Sequence, residues 1–175
     1  LQLVGRQLFQ QSRIVLFGYD LAHGQELWVS DGTEESAALL VDIRPGPASG
    51  VTFPVLDRYA ELRARKFGSA GNYAVFAANN GVQGEELWVT DGTALGTGLL
   101  RDIYPGDYPS TPRQFTRLGN RIVFSAEDEE HGLELWVTDG TYPGTALLKD
   151  VAPGLASSVP DDLVVRDGVL YFSAW

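Results

Sequence analysis

The chain has 175 residues, 44% of them hydrophobic, and a formal net charge of −10. That supplies enough apolar content for a sizeable core, and its acidic balance excludes the clustered basic face that nucleic acid or anionic lipid requires. Cysteine is absent, which excludes disulfides and thiolate metal sites, and no apolar run approaches the roughly 20 residues of a membrane-spanning helix.

In chain order, the opening "LQLVGRQLFQ" is already strand-like. No signal peptide is visible and there is no Met, so the sequence reads as a processed or partial chain. Next comes "VLFGYDLAHGQELWVSDGTEESAALLVDIRPGPASGVTFP", and after it a stretch around "DRYAELRARKFGSAGN". Leu56, Tyr59, Leu62 and Phe67 there fit one side of a short helix. "GSAG" at 68–71 is Gly-rich but lacks the lysine and strand–helix context of a phosphate loop. "VFAANNGVQGEELWVTDGTALGTGLLRDIYPGDYPSTP" follows, then "VFSAEDEEHGLELWVTDGTYPGTALLKDVAPGLASSVP". These are copies of one unit, with Trp28, Trp88 and Trp136 falling 60 and then 48 residues apart. The chain ends on "DLVVRDGVLYFSAW", the start of a fourth copy.

Each copy predicts four strands, which in the third are "RQFTRL", "RIVFSA", "LELWVT" and "TALLKDV". Gly119–Asn120 and Asp167–Gly168 supply the positive φ of tight hairpin turns. The "PG" segments cross to the next unit, their prolines unable to join a ladder. A four-stranded antiparallel meander repeated at this period is the mark of a β-propeller blade. The expected fold is all-β, a partial or open β-propeller of about three and a half blades. The blades run about 1–46, 51–106 with an insertion about 57–72, 112–154 and, in part, 160–175. The third strand carries large residues on both faces, as a blade covered on both sides requires. Glu134, Trp136 and Thr138 share one face, Leu135 and Val137 the other.

Glu-Leu-Trp-Val-Thr/Ser-Asp-Gly-Thr, followed in the second and third copies by Gly-Thr-x-Leu-Leu-x-Asp-Ile/Val-x-Pro-Gly, resembles the bacterial ELWxxDGT repeat family. The resemblance covers nearly the whole chain apart from the insertion and the first dozen residues. It implies tandem propeller blades in a secreted or surface protein, hence an extracytoplasmic location, and it brings no catalytic residues to transfer. The first copy departs from it with "EESA" at 34–37, and Trp175 stands where the third copy has Glu127.

Asp31, Asp91 and Asp139, each before Gly32, Gly92 or Gly140, read as Asx turns in which the carboxylate takes a backbone N–H two residues on. The competing reading is calcium, which wants six to eight oxygens. Only "EDEEHG" at 127–132 has that carboxylate density, making Asp128, Glu129 and Asp139 the metal candidates; no other cofactor is expected. Glu26, Glu86 and Glu134 lie inside strands and need partners, because burying a carboxylate alone is costly. Arg101 and Lys149 are available in their own units, but the first unit has Val41 there, which favours backbone N–H donors or a neighbouring blade. Three equivalent glutamates around a ring do not make the paired carboxylates of a glycosidase. Asp42, Asp102 and Asp150 read as pins for the crossings. His23 and His131 read as turn residues, or as a pair facing a common axis. Trp28, Trp88 and Trp136 read as interblade core, with sugar stacking as the alternative. No HExxH, Ser-His-Asp or Walker pattern appears.

Three and a half blades do not close a ring, so a protein partner or further blades of the same polypeptide are expected to cover the open ends. The sequence therefore points to a non-catalytic scaffold or protein-interaction module, in one version an accessory subunit of a larger assembly. The alternative is a carbohydrate-binding or glycan-processing module using Trp175 and the acidic loops.

Overall fold

The computed structural model describes residues 4–7, 13–33, 35–52 and 66–175. It contains three four-stranded antiparallel sheets and a two-stranded hairpin. The first sheet is β1 (Val4–Gln7, described by its backbone), β2 (Ile14–Asp20), β3 (Gly24–Ser30) and β4 (Ala38–Val41). The second is β5 (Phe67–Ala70), β6 (Tyr73–Ala78), β7 (Glu86–Thr90) and β8 (Gly98–Arg101). The third is β9 (Arg113–Leu118), β10 (Arg121–Asp128), β11 (Gly132–Thr138) and β12 (Ala146–Lys149). The hairpin pairs β13 (Asp161–Arg166) with β14 (Val169–Ser173). Strands neighbour one another in chain order throughout. No helix of the described residues is long and apolar enough to cross a membrane.

Turn residues set the hairpins. Gly71 (φ 58°), Gly119 (φ 62°) and the pair Asp167 (φ 52°) and Gly168 (φ 76°) supply the left-handed backbone that two-residue turns between twisted strands demand. Gly71–Asn72 thus does in the second sheet what Gly119–Asn120 does in the third. This corrects the boundary of the insertion: Phe67–Ala70 is strand β5 and 71–72 its turn, so neither they nor "GSAG" belong to an inserted loop. Phe67 is a strand residue, while Leu56, Tyr59 and Leu62 lie outside the described residues.

The third and fourth strands carry the same irregularity in every sheet. Leu27 pairs with Val41 and Trp28 with Leu39, so Leu40 is an extra residue on the outer strand; Leu100 and Leu148 repeat it. A bulge of this kind bends the strand and increases its twist.

The sheets stack through unlike faces. Val15 and Leu27 of the first sheet, with Ile43 and Val51, cluster with Ala74, Phe76, Ala78 and Trp88 of the second. Val75 and Leu87 of the second, with Ile103, cluster with Ile122, Phe124, Ala126 and Trp136 of the third. The leucine face of one unit therefore covers the tryptophan face of the next, which explains why β11 is buried along its entire length. Leu163 of the hairpin continues the order by packing on Val123, Leu135 and Val137.

Candidate functional site

The repeated residues build the same arrangement three times. Glu26, Glu86 and Glu134 lie inside β3, β7 and β11 and have no solvent exposure. Their carboxylates are held by the crossing that follows the fourth strand of the same unit. Glu86 accepts the Ile103 N–H at 2.8 Å, the Ser110 N–H at 2.9 Å and the Ser110 hydroxyl at 2.6 Å. Glu134 accepts the N–H groups of Val151 (3.0 Å), Ala152 (3.1 Å) and Ser158 (3.0 Å) and the Ser158 hydroxyl (2.6 Å). Glu26 accepts those of Ile43 (3.1 Å), Arg44 (3.1 Å) and Gly50 (2.8 Å), with no hydroxyl because Gly50 replaces the serine. Burial pushes the Glu26 and Glu86 carboxyls above the usual glutamate range, and the amide bonds pull in the opposite direction.

This clamp also restrains strained backbone. Thr111 (φ 47°) and Val159 (φ 49°) directly follow the clamped Ser110 and Ser158. Left-handed conformation at a β-branched residue costs about 1–3 kcal/mol and persists only where neighbouring bonds enforce it. Here Thr111 N–H also donates to Glu85 O at 3.2 Å and Val159 N–H to Leu133 O at 3.3 Å.

Arg101 and Lys149 are not the partners of these glutamates. Arg101 instead reaches the next sheet, with its guanidinium 5.6 Å from the Trp136 ring and 5.2 Å from the Tyr142 ring and a hydrogen bond donated to Thr145 O. Lys149 is exposed. Nor do Asp42, Asp102 and Asp150 pin the crossings through their inward oxygens, since Oδ1 of each is buried without a hydrogen bond.

Each Asp-Gly-Thr spends its carboxylate on its own turn. Asp91 Oδ1 accepts the Thr93 N–H at 2.8 Å and the Thr93 hydroxyl at 2.7 Å. Asp31 and Asp139 repeat both bonds. Gly32, Gly92 and Gly140 have φ of 104°, 87° and 87°. A second layer locks the turn: Thr90 meets Thr97 hydroxyl to hydroxyl at 2.7 Å, and Thr138 meets Thr145 at 2.7 Å. In the first unit Ser30 meets Ser36 at 2.8 Å, so Ser36 replaces the missing Gly-Thr from one position earlier. Ser36 and Thr33 hold the Asp31 carboxyl below the usual aspartate range; Thr141 does the same for Asp139.

His23 and His131 are turn residues paired with the aspartate three positions before. His23 Nδ1 lies 2.9 Å from Asp20 Oδ2, and His131 Nδ1 2.9 Å from Asp128 Oδ2. The same aspartates accept the loop N–H groups of His23 and His131 at 2.7 and 2.6 Å. In the second unit Asn80 and Gln83 form the neutral equivalent, Nδ2 to Oε1 at 2.7 Å. The hydrogen bond to its aspartate raises each histidine above its ordinary value.

Trp88 and Trp136 sit between sheets, whereas Trp28 is half-buried and lies over Gly18, where a Cβ would come within 2.7 Å of the indole. The calcium candidates do not converge. Asp128 is committed to its loop and His131, Asp139 to its turn, and among the described residues no three His, Cys, Asp or Glu side chains form a group that could hold a metal.

Two features escaped the sequence reading. Lys66 pairs with Glu85 and donates to Thr52 at 3.3 Å, joining the two ends of the segment at 53–65. Tyr73 donates to Asn120 O at 3.1 Å and packs on Gly140; burial, followed by the Asp139 charge, pushes its hydroxyl up to about 12. The first had a signal in Lys66 and Glu85, neither repeated in the other units; the second had none, because Tyr73 acts across sheets. The chain matches no family model, no curated protein and no solved structure.

Proposed function

We propose that the chain is a run of β-propeller blades of the ELWxxDGT kind, acting as a non-catalytic extracytoplasmic scaffold or protein-interaction module in a bacterial assembly. The observation that carries this reading is the internal use of two of the three repeated acidic positions: the glutamates on crossing amides, the aspartates of Asp-Gly-Thr on their own turns. Such groups are committed to architecture and are not poised for substrate. The radial geometry of a propeller is supported by the contact of successive first strands, β5 with β9 and β9 with β13, and by face-to-face stacking of the sheets.

The test is substitution with two readouts. Asp91→Ala and Asp139→Ala are each expected to lower the melting temperature. A glycan array is expected to stay flat, with no saturable quenching of tryptophan fluorescence. An unchanged melting temperature would free these carboxylates for chemistry and overturn the scaffold reading. Saturable quenching by a sugar would replace it with the carbohydrate-binding one.

A further inference from the structure

The loop between β6 and β7 holds the chain's only Asn-Gly step, Asn80–Gly81. Glycine has no side chain to keep its own amide nitrogen away from the preceding carboxamide, so an asparagine closes on the main chain most readily here. The counterparts of Asn80 in the other units are Asp20 and Asp128, and those of Gly81 are Leu21 and Glu129. Two of the three units therefore already carry, at this place, the acid that loss of ammonia makes from Asn80.

The loop acts on both reacting groups. Asn80 Oδ1 accepts the N–H groups of Val82 at 2.9 Å and Gln83 at 3.1 Å. Two donors on that oxygen stabilise the negative charge that gathers there when the carbon is attacked. The nucleophile is restrained instead. Gly81 N–H donates to Asn79 Oδ1 at 2.7 Å, and the nitrogen attacks only after that bond is broken and its proton released. Tyr19 and Glu127 stand where Asn79 does, so the restraining side chain occurs in the unit that has the Gly.

We propose that Asn80 is a self-modification site, which deamidates to aspartate by attack of the Gly81 nitrogen at a pace held down by Asn79. Gly81 N bonds to Asn80 Cγ, the Cγ–Nδ2 bond breaks, and ammonia departs with the Gly81 proton, leaving a cyclic imide. Solvent water then adds at Cγ, the Cγ–N bond breaks, and Gly81 N regains a proton. Opening at the other carbonyl gives isoaspartate, which lengthens the backbone by one atom. The loop resists that product because its ends are fixed. Asn79 N–H donates to Gly50 O at 2.7 Å, and Gly84 lies so close to Pro109 that a Cβ would meet its backbone at 2.5 Å. Aspartate fits without change: Asp20 Oδ1 takes the Ala22 and His23 N–H groups at 2.8 and 2.7 Å, as Asn80 Oδ1 takes those of Val82 and Gln83. Gln83, which now accepts from Asn80 Nδ2 at 2.7 Å, turns its amide to donate. The new charge arises beside a cation from the first unit, since Arg44 Nε lies 3.3 Å from where a Gly81 Cβ would stand. Tyr104 and Ala152 occupy that position in the later units.

The experiment incubates the whole chain at neutral pH, folded in buffer and unfolded in urea, and follows Asn80 by peptide mapping, with aspartate and isoaspartate separated by chromatography. In the folded chain Asn80 is expected to convert more slowly than in urea and to give mainly aspartate, while the unfolded chain gives mainly isoaspartate. Asn79→Ala is expected to speed conversion about fivefold in the folded chain and to leave the rate in urea unchanged. Asn80→Asp, the finished product, is expected to melt no lower than wild type. A folded chain that keeps Asn80 intact while the unfolded chain converts completely overturns the assignment of the site, and so does isoaspartate as the main folded-state product or a clear fall in melting temperature for Asn80→Asp. Equal rates for wild type and a folded Asn79→Ala chain remove the restraint. If that variant fails to fold, the comparison of wild type in buffer and in urea decides, and a folded chain as fast as the unfolded one removes the restraint in the same way.

Discussion

Glu86→Gln is the sharpest perturbation of the clamp, because it keeps the shape and changes only the hydrogen-bonding sense. Glu86 faces two N–H groups and a hydroxyl. The amide of Gln must turn its NH2 toward one of the two N–H groups. In the better orientation Ser110 Oγ rotates to accept from the NH2, and the buried Ile103 N–H is left unmatched. An unmatched buried donor costs about 1–3 kcal/mol, and exchanging charge-assisted bonds for neutral ones costs about 1 more. Relief from burying a charge returns part of that, leaving a net loss of about 1–3 kcal/mol. For a chain of this size the melting temperature falls by about 2–12 °C. Calorimetry measures it, and pH supplies a second readout. The Glu86 carboxyl is raised in the folded state. Its contribution is therefore full below the ordinary glutamate value and is lost as pH rises through the folded value. The gap between wild type and Glu86→Gln should be widest in acid and narrow as pH climbs. Glu26→Gln should cost at least as much, since Gly50 offers no hydroxyl to accept from the new NH2. A Glu86→Gln variant as stable as wild type would refute the clamp.

Three other outcomes follow from the same geometry. A Cβ at Gly144 falls on the Asp139 carboxylate, so Gly144→Ala should open the turn and cost about 1–3 kcal/mol by chemical denaturation, whereas Gly98→Ala, with open space around it, should stay within about 0.5. His23 and His131 are raised by their aspartates, so their stabilisation is full below the ordinary histidine value and is lost as pH rises through the raised ones; replacing both pairs by the second unit's solution (Asp20→Asn with His23→Gln, Asp128→Asn with His131→Gln) should flatten the melting temperature across that window. Arg101→Ala removes the contacts to Trp136 and Tyr142 and should cost about 1–2 kcal/mol with a change in tryptophan emission, while unchanged emission would place the guanidinium elsewhere.

The strands were legible where turn chemistry bounds them. "RQFTRL" and β9 coincide at Arg113–Leu118 because Gly119–Asn120 fixes one end and prolines the other. β5 is hard to separate from the insertion in the sequence, because Phe-Gly-Ser-Ala is a weak strand sequence and the long interval from Trp28 to Trp88 shows its excess as one block. Its turn, Gly71–Asn72, carried the contrary signal. The demand of Glu86 for a partner was legible, but the partner was not. Main-chain amides carry no side-chain signature, and only the recurrence of a small residue 24 positions on (Gly50, Ser110, Ser158) marks the place. The Asp20–His23 pair has no signal in the histidine by itself. Set beside Asn80–Gln83, the two positions change together from a charged pair to a neutral one. The bulges at Leu40, Leu100 and Leu148 leave no trace in composition, because an extra residue in a strand is a property of pairing.

The polar and apolar parts of the repeat act over different distances, and this bears on where specificity lies. Glutamate clamp, Asp-Gly-Thr turn and Asp–His loop all close within one unit, so each unit carries its own rivets wherever it stands in the array. The leucine-to-tryptophan packing acts only between neighbours, which makes stability a sum of unit terms and interface terms. A rivet that closes within a unit cannot distinguish one neighbour from another. An interface residue can: Arg101 stacks on Trp136 and Tyr142, and its first-unit equivalent Val41 has no charge with which to do so in the second. The order of units in the array is therefore written in the residues that differ between copies, while the invariant Glu-Leu-Trp-Val-x-Asp-Gly-Thr makes every copy a competent building block.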